Sequence, residues 1–87
     1  GWNALHYAAE FNRTTTEVIE LLLTHMSLDG ISMKNGMGDT PLDKAYYNIH
    51  SPIHQEIIAL LRSKGGKANC HDANGRNVGR GNGDLND

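Results

Sequence analysis

Three groupings in this sequence could carry chemistry. His50 and His54 stand four apart, the spacing that on one helix puts two imidazoles on one face, within reach of a single metal ion. Pro52 lies between them, and a proline suits the first turn of a helix, so the helix starts there and His50 falls in the preceding loop. Both histidines then read as surface residues. Cys70-His71 sets a thiol beside a base, but adjacent residues in a turn point apart and no third group follows to orient the base. A zinc site would need three or four convergent ligands, and this pair has no spaced partners; one cysteine also cannot form an internal disulfide. The glycine-rich end, residues 75–87, has the composition of a phosphate-cradling loop, yet no helix follows to supply N–H groups and a dipole. These residues therefore offer no catalytic group, no cofactor site and no metal site, and the chain reads as a non-enzyme.

Composition narrows the class further. The 87 residues carry a formal net charge of −2 and are 38% hydrophobic. A near-neutral balance disfavours a dedicated nucleic-acid binder, for which a basic domain is expected. No apolar run approaches the roughly 18 residues of a membrane span, and the chain opens without a signal-peptide pattern. An intracellular, cytoplasmic location with no membrane partner is the expectation. Beyond Lys64 the only apolar residues are Ala68, Cys70, Ala73, Val78 and Leu85. A core-forming stretch that short buries only about 60% of its surface and is marginal alone.

Within that stretch the apolar residues fall at helical spacing. Ala4, Leu5, Ala8 and Ala9, followed by Phe11, give one face of a short helix. Thr14 and Glu17 have capping-box spacing, and Val18, Ile19, Leu21, Leu22 and Leu23 behind them predict a denser helix ending near His25, whose imidazole suits a helix C-terminus. Thr40-Pro41 and Ser51-Pro52 announce two more helices, each a cap followed by a proline, and Gly65-Gly66 stops the last. A short helix, a longer helix and a loop thus occur twice. Residues 1–9 align with 38–46 at an offset of 37, and residues 18–22 with 57–61 at an offset of 39. Adding 37 again reaches Gly75, preceded by Asp72-Ala73-Asn74, a correct start to a third unit that Gly79 and Gly81 then break.

Asn3-Ala4-Leu5-His6-Tyr7-Ala8 and Thr40-Pro41-Leu42-Asp43-Lys44-Ala45 resemble the T-P-L-H-x-A signature of ankyrin repeats, which recur about every 33 residues as a β-turn plus two helices. Gly65, Asn69 and Asp72 resemble the run that leads into the next hairpin. The resemblance implies an all-α solenoid of ankyrin-type helix-turn-helix repeats joined by β-turn or hairpin loops. Units would fill 1–37 and 38–74, with an aborted third from 75 onward, so that repeats occupy 1–75 and a flexible Gly/Asn-rich tail 76–87. In this family a first-helix histidine bridges neighbouring units, as His6 would; Asp43 replaces it in the second unit, where it can serve as the capping-box acid for Thr40. Tyr46 stands where alanine lets adjacent first helices approach, and is expected to splay the groove or turn its hydroxyl to solvent. Insertions fall at 13–16, 27–33 and 48–51. Leu21-Leu22 and Leu60-Leu61 are expected in the core. Leu23 and Arg62 share a slot, and the change to arginine reads as polar capping of the array's C-terminal end. Because residue 1 starts inside a hairpin, the chain reads as a piece of a longer array, with Trp2, Leu5 and Ala9 exposed on its N-terminal face.

Ankyrin arrays bind partners through hairpin tips and the concave face of their first helices, so the resemblance implies a non-enzymatic protein–protein interaction module. Carried over by position, the partner-binding residues are Trp2, Glu10 and Phe11 in the first unit and Met37, Asp39, Tyr47 and Asn48 in the second. Gly36, Ala73, Asn74 and Arg76 fill the remaining variable slots. Trp2, Phe11 and Tyr47 would anchor a protein or peptide partner, although Trp2 and Phe11 also suit packing against a preceding repeat. Glu10, Asp39 and Asp43 would give the groove an acidic cast favouring a basic or mixed-charge segment. Two other readings remain: a regulatory appendage of a larger enzyme or channel, and nucleic-acid association through Arg62, Lys64, Lys67, Arg76 and Arg80. Asn69 occupies a position hydroxylated in some ankyrin proteins; bonding to its own turn is the plainer role.

Overall fold

The computed structural model describes residues 2–11 and 16–79. They form five helices: α1 (Ala4–Phe11), α2 (Glu17–His25), α3 (Leu28–Ile31), α4 (Pro41–Tyr46) and α5 (Pro52–Ser63). No strand occurs among the described residues, and an isolated antiparallel bridge between His71 and Asn77 closes the hairpin after α5. α1 packs on α2 and on α4, and α4 packs on α5. Two helix pairs therefore stack through their first helices, the all-α solenoid expected from the sequence.

Local chemistry fixes the ends of these helices. At α4 Thr40 Oγ1 accepts from Asp43 N–H (3.2 Å) while Asp43 Oδ2 accepts from Thr40 N–H (2.9 Å), a complete capping box with Pro41 in the first turn. α5 stops where Gly65 takes φ +87° and the Gly66 N–H closes onto the Leu61 carbonyl at 2.7 Å. α2 starts later than its spacing suggested. Thr16 holds the cap position and its hydroxyl donates to Glu20 Oε2 (3.0 Å); Thr14, the expected cap, lies outside the described residues. The insertion at 27–33 is no plain loop. Ser27 Oγ accepts from the Gly30 N–H (3.3 Å) and caps α3, which carries Ile31 into the core.

The two hairpins repeat in register. Asn35 Oδ1 accepts the N–H groups of Met37 (2.9 Å) and Asp39 (3.0 Å), and 37 residues on Asp72 Oδ1 accepts those of Asn74 and Arg76, both at 2.9 Å. Gly38 (φ +86°) and Gly75 (φ +81°) supply the left-handed residue each turn requires. The second hairpin continues through Val78, whose N–H reaches the Cys70 carbonyl at 2.8 Å. The expected repeat boundary at 75 thus falls inside this hairpin, and residues 80–87 of the expected tail lie outside the described residues.

Leu5, Ile19, Ile57 and Leu61 are completely buried and centre the core, each contributing about 1.5–3 kcal/mol by removal from water. Two expectations need correction here. Leu5 and Ala9 do not lie on an exposed N-terminal face; both are fully buried in the core cluster shared with α2 and α4. Leu21 is not core: it is 62% exposed, and Tyr7, Phe11 and Val18 are likewise exposed. The repeat accounts for part of this. One unit later Tyr7 and Val18 correspond to Lys44 and Ile57, both buried in the unit on which α1 packs, whereas Leu21 corresponds to Leu60, itself only half-buried.

Candidate partner-binding surface

Four of the seven residues singled out for partner binding converge on a side chain the sequence reading passed over. Lys44 Nζ lies 4.0 Å from the Trp2 ring centroid and 5.7 Å from that of Tyr47. It also sits 3.5 Å from Asp39 Oδ2 and 3.7 Å from Glu10 Oε1. The Tyr47 hydroxyl donates to Asp39 Oδ1 at 2.9 Å. Trp2, Glu10, Asp39 and Tyr47 are thus one assembly around a single ammonium group, in which cation–π and ion-pair attraction act together. The signal was present in the sequence, as a lysine one helical turn before Tyr47 and aligned with Tyr7. Its meaning depended on Glu10 and Trp2 arriving from the other unit.

Phe11 stands apart from the lysine. It stacks on Trp2 (6.1 Å between centroids) and Tyr7 (6.3 Å), and Trp2 lies 4.8 Å from Tyr7. With Ala4, Tyr7, Ala8, Val18 and Leu22 it lines an open apolar groove of about 550 Å³. Met37 lies exposed at the tip of the first hairpin, and half-buried Asn48 just beyond the end of α4.

Bridges between units hold this surface in place. The Asn3 N–H donates to His6 Nδ1 (3.0 Å), which leaves the ring proton on Nε2, donated to the Asp39 carbonyl at 2.8 Å. Burial holds the His6 pKa below its usual value, helped by the nearby Lys44 charge and opposed by the hydrogen bond to Asp39. The ring is therefore neutral in the fold. Asp43 does more than cap Thr40. Its Oδ2 accepts the Asn69 N–H (2.9 Å), and its Oδ1 accepts the Cys70 N–H (2.8 Å) and His71 Nδ1–H (2.9 Å). Burial pushes this carboxyl up, but the hydrogen bonds from His71 and from the Thr40, Asn69 and Cys70 N–H groups outweigh it, and the pKa falls below the usual aspartate value.

These bonds overturn the expected acidic cast. Asp39 and Asp43 are 1% and 0% exposed, because each carboxylate is consumed by internal donors. Glu10, half-buried, faces Lys44. The carboxylates that suggested a basic partner are thus engaged internally, and Asp39 lies beneath the surface, bonded to Lys44, Tyr47 and Cys70. His54 is likewise no surface residue: it is fully buried and donates from Nε2 to the Glu10 carbonyl at 3.1 Å, pinning α5 to the end of α1. Tyr46 neither splays the groove nor turns its hydroxyl to solvent. Its ring is 5% exposed against His71, and its oxygen accepts from Arg62 at 3.4 Å.

Asp39, Asp43 and Cys70 bring ligand atoms within 4.8 Å of one another. The Cys70 thiol donates to Asp39 Oδ1 at 3.1 Å while His71 engages Asp43, so thiol and imidazole serve different aspartates and form no nucleophile–base pair. A cation entering there would have to displace the N–H groups already bound to Asp43.

The model of the ankyrin-repeat family, in three copies, matches residues 1–77. This chain belongs to the ankyrin-repeat family. No curated protein and no solved structure matches it. Ankyrin repeats are generally protein–protein interaction modules and typically non-enzymatic, and no helix among the described residues is long and apolar enough to cross a membrane. Within the ankyrin frame, Lys44 is the working residue that sequence reasoning missed, while His54 was expected at the surface and Arg62 only as a polar cap. Each acts on a carbonyl, ring or carboxylate distant in sequence.

Proposed function

We propose that this ankyrin chain binds a partner protein segment along the edge formed by Trp2, Phe11 and Tyr47, with Met37 at the hairpin tip and Asn48 and Glu10 at the margin. The observation that carries the reading is a buried cation set against Trp2 and the exposed Tyr47, with Phe11 stacked on Trp2 beside them. Tyr47 is 41% exposed and Phe11 57%, while Lys44, only 7% exposed, holds Trp2 and Tyr47 from behind. Rigid aromatic rings lose little conformational freedom on binding, which is why they dominate interface energies.

Selecting peptides from a display library on the intact chain, then measuring their affinity for variants, tests this. A Tyr47→Ala, Phe11→Ala double change is expected to weaken binding by about 2 kcal/mol or more, with Tyr47→Phe close to wild type if the ring and not the hydroxyl is what binds. Peptides whose affinity ignores the double change, in a variant with an unaltered circular dichroism spectrum, refute the assignment.

A further inference from the structure

The opposite end of the solenoid carries a second surface, of different chemistry. Leu42, Tyr46 and Arg62 are the repeat counterparts of Leu5, Ala9 and Leu23, which in the first unit are buried in the core. In the second unit Leu42 and Tyr46 remain buried, at 4% and 5% exposure, and form the floor of an open pocket of about 790 Å³ with exposed Arg62, Lys67 and Val78 and half-buried Ala68 around it. Two of the three counterparts have changed character. An alanine that permits close helix stacking has become a tyrosine, and a buried leucine has become an exposed arginine. The Tyr46 ring fills the slot a further stacked helix would use. The face is no longer built for another apolar repeat.

Its charge is one-sided. Arg62 Nη1 donates to the Tyr46 hydroxyl (3.4 Å) and to the Ala73 carbonyl (3.2 Å), which stretches the guanidinium across the pocket with Nε and Nη2 still available. Neither Arg62 nor Lys67 has a carboxylate partner among the described residues. The only carboxylate in the lining, Asp72, already pairs with Arg76 (3.2 Å) and accepts two backbone N–H groups.

We infer that this pocket receives an acidic peptide segment of a partner protein, one apolar side chain entering against Leu42, Tyr46 and Val78 while flanking carboxylates pair with Arg62 and Lys67. The site is separate from the aromatic edge and does not depend on it. An arginine with two parallel donors free is suited to a carboxylate, and the apolar floor gives the peptide something a nucleic-acid backbone does not use.

The test uses the full chain and a short labelled peptide of alternating leucine and glutamate, with its leucine–glutamine counterpart and a single-stranded oligonucleotide as comparators. Fluorescence anisotropy is expected to show salt-sensitive binding of the glutamate peptide, weaker by about tenfold for the glutamine form. Nuclear magnetic resonance shifts are expected at Tyr46, Arg62 and Val78. Lys67→Glu, at an exposed side chain, is expected to weaken binding about five- to tenfold without changing the fold; Arg62→Gln tests the second cation, with the Ala73 region monitored for local loosening. Indifference to Lys67→Glu, equal binding of the glutamine peptide or of the oligonucleotide, or shifts confined to Trp2 and Tyr47 would each overturn the inference. So would binding that appears only after Asp84→Asn, Asp87→Asn, which would assign the pocket to the chain's own C-terminal residues.

Discussion

Asparagine in place of Asp43 is the sharpest single perturbation this fold offers. The carboxylate is fully buried and accepts five hydrogen bonds, from Thr40 N–H and hydroxyl, Asn69 N–H, Cys70 N–H and His71 Nδ1–H. The Asp43→Asn amide would keep the shape but turn one acceptor into a donor. On the Oδ2 side the new NH₂ would face the N–H groups of Thr40 and Asn69. On the Oδ1 side it would face Cys70 N–H and His71, and only His71 can adapt, by moving its proton to Nε2. The second orientation is cheaper, yet it leaves the Cys70 N–H without an acceptor and the remaining bonds without charge.

A buried unpaired donor costs about 1–3 kcal/mol, and hydrogen bonds to a charged acceptor contribute about 1 kcal/mol more than neutral ones. The expected loss is therefore about 3 kcal/mol, out of a total of about 5–10 kcal/mol for a chain of this size. Urea unfolding followed by circular dichroism at pH 7 measures the sum, and hydrogen exchange locates it. Protection is expected to fall first at residues 69–78, which the carboxylate ties to α4. The pH dependence adds a second check. A depressed folded-state pKa gives stability that is present above the unfolded aspartate value and lost as pH falls from about 4 through the lower folded value. Wild type and Asp43→Asn are thus expected to differ at pH 7 and to converge below about pH 4. A loss under about 0.5 kcal/mol, or a gap between the two that persists undiminished in acid, would refute the bridge.

His6, whose pKa is lowered, sets a shallower slope at higher pH: the unfolded chain takes up a proton near 6.5 that the buried ring refuses. The stability difference between wild type and His6→Gln is expected to shrink as pH falls from 7.5 to about 5.5, and growth of that difference would contradict it. Gly75→Ala is expected to destabilise by about 1–3 kcal/mol, because its φ is +81° and a Cβ would meet Ile49 Cδ1 at 2.6 Å, whereas Gly36→Ala, with nothing within 4 Å, is expected to shift the melting midpoint little; equal effects would be inconsistent with the turn geometry. Ile19→Ala is expected to cost about 2–5 kcal/mol and Leu21→Ala under about 0.5 kcal/mol, although the two are neighbours on one helix; thermal melts decide between that ordering and its reverse.

The elements of this fold were legible because their signals are local. Thr40-Pro41 with Asp43 three residues on and Gly65-Gly66 mark helix ends through contacts within one turn, Ser51-Pro52 marks one by position although the Ser51 side chain makes no capping hydrogen bond, and each stands where expected. The 37-residue register was readable for the same reason, each hairpin being organised by one Asx side chain bonding its own backbone. The site was less legible. Asp39 carried the sequence signal of an exposed acid, but its charge is answered by Lys44, Tyr47 and Cys70, and no local rule announces those partners. Leu21 read as core because apolar periodicity cannot say which side of a helix has a neighbour. α3 was missed because four residues are too few to show a period; only its cap at Ser27 could have given it away.

Both bridges between consecutive units link a first helix to the hairpin that follows, yet their polarities are opposite. In the first unit the side chain donates: His6 Nε2–H goes to the Asp39 carbonyl. In the second it accepts: Asp43 gathers the N–H groups of Asn69 and Cys70 and the proton of His71. The following backbone must present a carbonyl to the first and amides to the second, so the two units cannot exchange these residues singly. A histidine at position 43, though closer to the family signature, would leave two buried amides and His71 without their acceptor. The same substitution that departs from the signature thus recruits His71, whose ring then fills the space against Tyr46 and Tyr47. Asp43, His71 and Tyr46 together finish the second unit, and the pocket beside Arg62 is shaped by that finish.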